Sequence, residues 1–136
     1  MTPLFLDTGF LLALESADDQ HHAAALDYWQ SFESENPVPL VTTSYVLDEV
    51  ATFFNARGLH AKAVEAINSL MNSPSVLLVH VDEDLFDESW RYFARHHDKR
   101  YSLTDCISFV VMKRMKLKTA LAFDQHFVQA GFERIP

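Results

Sequence analysis

The sequence predicts an α/β fold, a mostly parallel sheet with helices on both faces, and three observations carry that prediction. Short apolar runs suited to buried strands recur along the chain, stretches with the i, i+3, i+4 spacing of helices stand between them, and no repeat or low-complexity linker interrupts the alternation. Strands separated by helices pair in parallel, because a crossover long enough to hold a helix brings the chain back to the same end of the sheet. The 136 residues are expected to form one domain spanning 1–136. A chain of that length buries roughly 68% of the surface that its unfolded form exposes.

Each element follows from local signals. Residues 3–6, PLFL, form the first strand, which ends at Asp7. Thr8 opens a helix over 8–15, and a second helix runs from about His21 to Phe32 before the breaker NPVP at 36–39. The second strand is LVTT, 40–43. Thr43 or Ser44 caps the next helix, whose apolar set Val46, Leu47, Val50, Ala51 and Phe54 keeps helical spacing until Arg57 and Gly58 stop it. A helix over about 60–72 leads to the strand VLLVHV at 76–81, followed by an acid-started helix from Asp84 to about His96. From Ser102 to about Met115 runs a helix that is apolar almost all round, through Leu103, Cys106, Ile107, Phe109, Val110 and Val111, and is therefore expected at the centre of the fold. The strand ALAF at 120–123, Asp124, a short helix at QHFVQ and a final FERI complete the chain.

Composition excludes several classes. An apolar fraction of 49% with three glycines and five prolines fits a globular protein rather than a disordered or fibrous one. No 18-residue apolar run is present, so no membrane span is expected, and the start MTPLFLDTG lacks the basic leader of a secretory signal. A single cysteine forms no internal disulfide, which makes a reducing cytoplasm the expected compartment. Cys106 reads as a small hydrophobe, since no histidine stands beside it to activate the thiol. The net charge of −8 argues against a polyanionic partner until its distribution is seen: residues 1–90 carry −13 and residues 91–136 carry +5. Arg91, Arg95, Lys99, Arg100, Lys113, Arg114, Lys116 and Lys118 form a positive border if the segments bearing them pack together, and a solvated face if they do not.

The acids gain geometry from the fold class. In open α/β sheets ligands bind in the crevice outside the carboxyl ends of the strands, and Asp7 and Asp124 each follow an apolar strand run. Either alone is equally well read as the cap of the following helix; together at two strand ends they favour a site. Asp105 has the same two readings. Ser102 and Asp105 stand at the spacing of a capping box, yet the surrounding helix is so apolar that a charge there needs a partner. On the helix SYVLDEVATFF, Glu49 borders the apolar stripe and Asp48 points farther from it, a margin too small to choose between them.

With these residues in view the chain resembles a known family. The order FLDTGFLLAL, Glu49 within SYVLDEVATFF, YSLTDCISFVVMKR and ALAFDQHF is similar to the PIN-domain ribonucleases, specifically the toxins of VapBC-type toxin–antitoxin modules, over nearly the whole chain. The resemblance implies a Rossmann-like α/β/α sandwich, a divalent-metal-dependent endoribonuclease, and metal-binding and catalytic roles for Asp7, Glu49, Asp105 and Asp124. It selects Glu49 over Asp48. It also implies an RNA substrate, a cognate antitoxin that sets arginine against the carboxylates, and a homodimer. One departure is visible: many relatives have Ser or Thr two residues before the last Asp, where this chain has Ala122.

The chemistry is consistent from first principles. Carboxylates gathered in a partly buried crevice repel one another, and a hard divalent cation offsets that repulsion. Oxygen donors without a Cys or His set at zinc spacing point to Mg²⁺ or Mn²⁺. On this reading Asp7, Asp105 and Asp124 hold the ion, Glu49 helps hold it or orients the attacking water, and Thr8 and Ser102 supply hydroxyls that fix the carboxylates. Arg91, Arg95, Arg100 and His126 are candidates for contacts to RNA phosphates. Tyr28, Trp29, Phe53 and Phe54 serve a protein interface if exposed and the core if not. Three other readings compete with this one. FLDTG matches the aspartic-protease signature, but the helix-rich remainder is not an all-β protease. A haloacid-dehalogenase-type phosphatase needs a second Asp two residues after Asp7, where Gly9 stands. The third alternative is a PIN-like binding module without catalysis.

Overall fold

The structure, a computed structural model, describes residues 2–33 and 38–136. Of the predicted breaker at 36–39, Asn36 and Pro37 lie outside the described residues. The element order is β1 (Leu4–Leu6), α1 (Thr8–Glu15), α2 (His22–Glu33), β2 (Leu40–Thr43), α3 (Ser44–Ala56), α4 (His60–Asn72), β3 (Val76–Val79), α5 (Glu83–Arg95), α6 (Leu103–Arg114), β4 (Thr119–Leu121), α7 (His126–Gln129) and β5 (Glu133–Ile135). The five strands form one sheet in the order β3-β2-β1-β4-β5, and every pairing is parallel. The sheet is thus wholly parallel, as the helix between each pair of strands requires.

The strand order fixes where a ligand belongs. From β1 the chain winds outward through β2 to β3, then crosses back to add β4 and β5 on the other side of β1. The order therefore reverses between β1 and β4, and in doubly wound folds the binding crevice opens at that reversal, beyond the carboxyl ends of the strands. Asp7 leaves β1 and Asp124 follows β4, so both stand at its mouth.

Specific contacts account for several element ends that differ from the sequence reading. β3 stops at Val79 instead of reaching Val81, because the Val81 N–H donates to the Ser44 hydroxyl at 3.0 Å and leaves the ladder. Ser44 is therefore committed to β3, and it is Thr43 that caps α3 by accepting from the Val46 N–H at 3.2 Å. α5 begins one residue early, since Asp82 caps it by accepting from the Leu85 N–H at 2.8 Å. β4 spans 119–121, beginning one residue before the predicted run and ending two residues short of that run's end, and Phe123 turns out of the sheet towards α1 and the start of α2.

α6 is the central element. Every residue from Thr104 to Met112 is buried, matching its all-round apolar sequence. α5 packs against it antiparallel, with Glu88 reaching Arg114, Tyr92 meeting Phe109 and both Tyr92 and His96 meeting Tyr101. Cys106 is fully buried in that core and its thiol is pushed up to about 11, first by burial and then by the Asp105 charge, so it is inert packing. Phe54 is buried, while Tyr28, Trp29 and Phe53 pack half-buried on the core. Among the described residues no helix is long and apolar enough to cross a membrane.

Candidate active site

Asp7 is the most deeply placed acid of the crevice. It stands at the N-cap of α1 with extended backbone, and its side chain closes no cap hydrogen bond. With 4% of its surface exposed, it holds its proton well above the ordinary carboxyl range. Burial is the main cause, the negative charges of Asp124 and Asp105 add to it, and the Thr8 and Gly9 N–H groups pull the other way. Asp7 leaves β1 at the same end of the sheet where Asp124 follows β4, and it feels the charges of Asp105 and Asp124 there.

Asp105 does cap its helix. Its N–H donates to the Ser102 hydroxyl at 2.9 Å and its Oδ2 accepts from the Ser102 N–H at 3.0 Å, a complete capping box. The expected contact between the Ser102 hydroxyl and the carboxylate is therefore replaced by one from the Ser102 backbone, while the hydroxyl fixes the first turn. The same Oδ2 also accepts from the His126 ring at Nδ1, at 2.8 Å. Burial raises the Asp105 proton affinity above the ordinary value, whereas the Ser102 N–H and His126 lower it and Asp124 raises it.

His126 joins two of the acids. Besides its ring contact to Asp105, its backbone N–H donates to Asp124 Oδ1 at 2.9 Å. Asp105, Asp124 and His126 each bring a ligand-type atom to within 4.8 Å of the others, the set among the described residues that could hold a metal ion. The sequence reading makes His126 a phosphate contact and expects oxygen donors alone. In the structure its Nδ1 meets Asp105, and with that carboxylate ionised Nδ1 carries the hydrogen.

Glu49 enters from α3 and is held by a residue of α1. The Thr8 hydroxyl donates to Glu49 Oε1 at 2.7 Å, a bond between residues 41 apart in sequence. Glu49 is half-buried and Asp48 exposed, so burial separates the pair that helical spacing could not. Ala122 is fully buried and offers no hydroxyl.

The cations divide between two ends of the molecule. The antiparallel packing puts the end of α5 and the 96–101 connection, with exposed Arg95, Lys99 and Arg100, beside Tyr101, whose ring meets that of His126 at 5.5 Å. Lys113, Arg114, Lys116 and Lys118 lie at the other end of α6, where Arg114 pairs with Glu88 at 2.8 Å. Seven of the eight cations thus fall at two opposite ends of α6, and Arg91 lies on α5 between them.

Comparison with known proteins gives the family. The family model for the PIN domain matches residues 4–133. The chain belongs to the PIN-domain family. It is 36% identical over 132 residues, 97% of each chain, to a Mycobacterium tuberculosis protein named 23S rRNA-specific endonuclease VapC20. A VapC ribonuclease of Archaeoglobus fulgidus is 27% identical over 123 residues, 90% of this chain and 77% of that one. The crystal structure of M. tuberculosis VapC20, described as a sarcin–ricin loop cleaving toxin, matches with a TM-score of 0.85 and 36% identity over 95% of both chains. FitAcB from Neisseria gonorrhoeae shares the fold with a TM-score of 0.66 at 16% identity, over 98% of this chain and 96% of that one. Among PIN domains the chain is of the VapC type.

Proposed function

We propose that the chain is a divalent-metal-dependent endoribonuclease that hydrolyses RNA phosphodiester bonds in the cytoplasm as the toxin of a VapBC-type pair. The observation that carries this reading is the group of Asp105, Asp124 and His126 at the switch point, whose ligand atoms lie within 4.8 Å of one another, with the buried Asp7 at the neighbouring strand end and sensitive to both acids. Such a cluster is costly without a cation and favourable with one. Its hard oxygen donors fit Mg²⁺ or Mn²⁺. Asp7, Asp105 and Asp124 would hold the ion, with Glu49 beside them. When bound, a divalent cation neutralises phosphate charge and lowers the pKa of water.

The remaining work falls to the side chains. Glu49, aligned by the Thr8 hydroxyl, orients the water that attacks phosphorus. His126 keeps Asp105 and Asp124 at a fixed separation, and Ser102 fixes the turn that carries Asp105. Arg95 and Arg100 draw the RNA backbone towards a crevice that would otherwise repel it, with Arg91 on the same helix as Arg95 supporting them. The likeness to VapC20 supports ribosomal RNA as the substrate. The protein partners are a cognate antitoxin that presents arginine to the carboxylates and a second copy of the chain.

Expression of the chain and of Asp105→Asn, followed by mapping of RNA 5′ ends, tests this. Growth arrest and discrete rRNA cuts from the unmodified chain alone support it; cuts that persist unchanged in Asp105→Asn defeat it.

A further inference from the structure

Arg134 stands apart in sequence from the run of cations between Arg91 and Lys118. In the fold it sits on β5 opposite Ala120 of β4, and its Nη1 donates to the carbonyl oxygens of Phe123 and, at 3.4 Å, Asp124. These carbonyls belong to the segment that leaves the sheet carrying the Asp124 carboxylate and the His126 ring. The same segment is gripped by its side chain: the His21 ring lies nearly parallel on Phe123 at 4.3 Å, and Phe10 stacks with it at 5.9 Å. Asp124 itself is exposed, and the hydrogen bond that its carboxylate accepts comes from the His126 N–H of the same segment. Its place depends on the main chain beneath it, and short exposed connections are ordinarily the loosest parts of a fold.

We infer that Arg134 is a positioning residue of the metal site, fixing the Phe123–Asp124 main chain and through it the Asp124 carboxylate relative to Asp7 and Asp105. This rests on the reading of Asp124 as a metal ligand. Electrostatics and positioning make opposite predictions here. A guanidinium beside an acidic cluster opposes an incoming cation, so if Arg134 supplied charge alone, its removal would tighten metal binding. If it holds the ligand's backbone, removal weakens binding. A lysine keeps the charge but replaces the planar fork with a single ammonium, so any weakening in Arg134→Lys is geometric.

The test is direct measurement of Mn²⁺ affinity by paramagnetic resonance of the free ion, on the full chain, for the parent, Arg134→Met, Arg134→Lys and Asp124→Asn, with circular dichroism and thermal unfolding as checks of folding. Arg134→Met is expected to bind Mn²⁺ about tenfold more weakly, the scale on which partners of ligands act, with Arg134→Lys between it and the parent. Parent-like or tighter binding in Arg134→Met, alongside weakened Asp124→Asn, overturns the inference alone. Parent-like binding in Asp124→Asn removes the ligand reading and the inference with it. Should Arg134→Met fail to fold, Arg134→Lys decides: parent-like affinity overturns the inference, and weakened affinity supports it.

Discussion

The two ends of α6 carry charge in opposite ways. At its N-terminus Asp105 is buried, closes a capping box with Ser102 and holds His126. At its C-terminus Lys113 and Arg114 are exposed, and Arg114 meets Glu88 in a half-exposed pair. Both ends complement the helix dipole, acid at the start and bases at the finish. Dipole complementarity is satisfied by an exposed charge, as the C-terminal end demonstrates. A carboxylate that is instead buried, opposed by the Asp124 charge and braced by an imidazole is organised for something beyond holding its helix.

The largest effect that sharpens this contrast is the separation of capping from catalysis in the first turn of α6. Asp105→Asn keeps an oxygen for the Ser102 N–H and so keeps the cap, but loses the charge. RNA cleavage should fall at least a hundredfold, beyond the roughly 10–100-fold typical of a ligand's outer partner, with the unfolding midpoint nearly unchanged. Ser102→Ala does the reverse to the cap, removing the hydroxyl that accepts the Asp105 N–H, and should cost about 1 kcal/mol of stability. Urea unfolding beside single-turnover cleavage compares the two. If Asp105→Asn lost stability and kept activity, the N-terminal end of α6 would be no more than a cap.

Next in size is the pH dependence set by Asp7. Its carboxyl binds a proton more tightly in the folded protein than in the unfolded chain, where the ordinary value is 3.8. The folded state therefore holds more protons at pH above that value, and Asp7's contribution to stability falls as pH rises through its raised folded pKa. In chelator at pH 7, Asp7→Asn should unfold higher than the parent, by roughly 3–5 °C for about 1 kcal/mol in a chain of this size, and the advantage should shrink as pH is lowered towards 4. Mn²⁺ should raise the parent's midpoint and leave Asp7→Asn nearly unmoved. A variant less stable than the parent at pH 7 in chelator contradicts the account. A smaller loss is expected from Thr8→Val, which frees Glu49: about tenfold in cleavage, read mainly in kcat.

What is legible in the sequence and what is hidden divide by sequence distance. β2 and α4 match their runs residue for residue, because LVTT and the 60–72 spacing are decided locally. Asp7 and Asp124 are legible as strand-end acids, since fold class alone puts strand ends at the crevice. Glu49 cannot be told from Asp48 by spacing, because what distinguishes it is a hydroxyl 41 residues away. The role of His126 is hidden for a similar reason: its ring partner lies 21 residues back, and spacing within QHFVQ says nothing about it. Arg134 is invisible, being one arginine in a terminal strand whose partners are main-chain carbonyls with no sequence signature. Composition groups the cations together, and only the antiparallel packing of α5 on α6 divides them.

That division yields the smallest and most discriminating effect. Asp105 and Lys113 are separated by about 12 Å along the axis of α6, and Lys116 and Lys118 lie beyond. Arg95 and Arg100 flank Tyr101 and the Asp105–His126 end instead. RNA bound with its scissile phosphate at the carboxylates should therefore gain more from Arg95 and Arg100 than from Lys113 and Arg114. For a single strand, each phosphate that the protein ceases to neutralise lowers the slope of log affinity against log salt by about 0.7. In the Asp105→Asn background, which keeps RNA intact during titration, the double change Arg95→Ala and Arg100→Ala should lower that slope by about 1.4. Lys113→Ala with Arg114→Ala should leave it unmoved, costing at most about 1 kcal/mol of stability as the ion pair with Glu88 disappears. Equal slopes in the two double variants would mean that charge at either end of α6 serves RNA alike, and the contrast between those ends would then lie in the carboxylates alone.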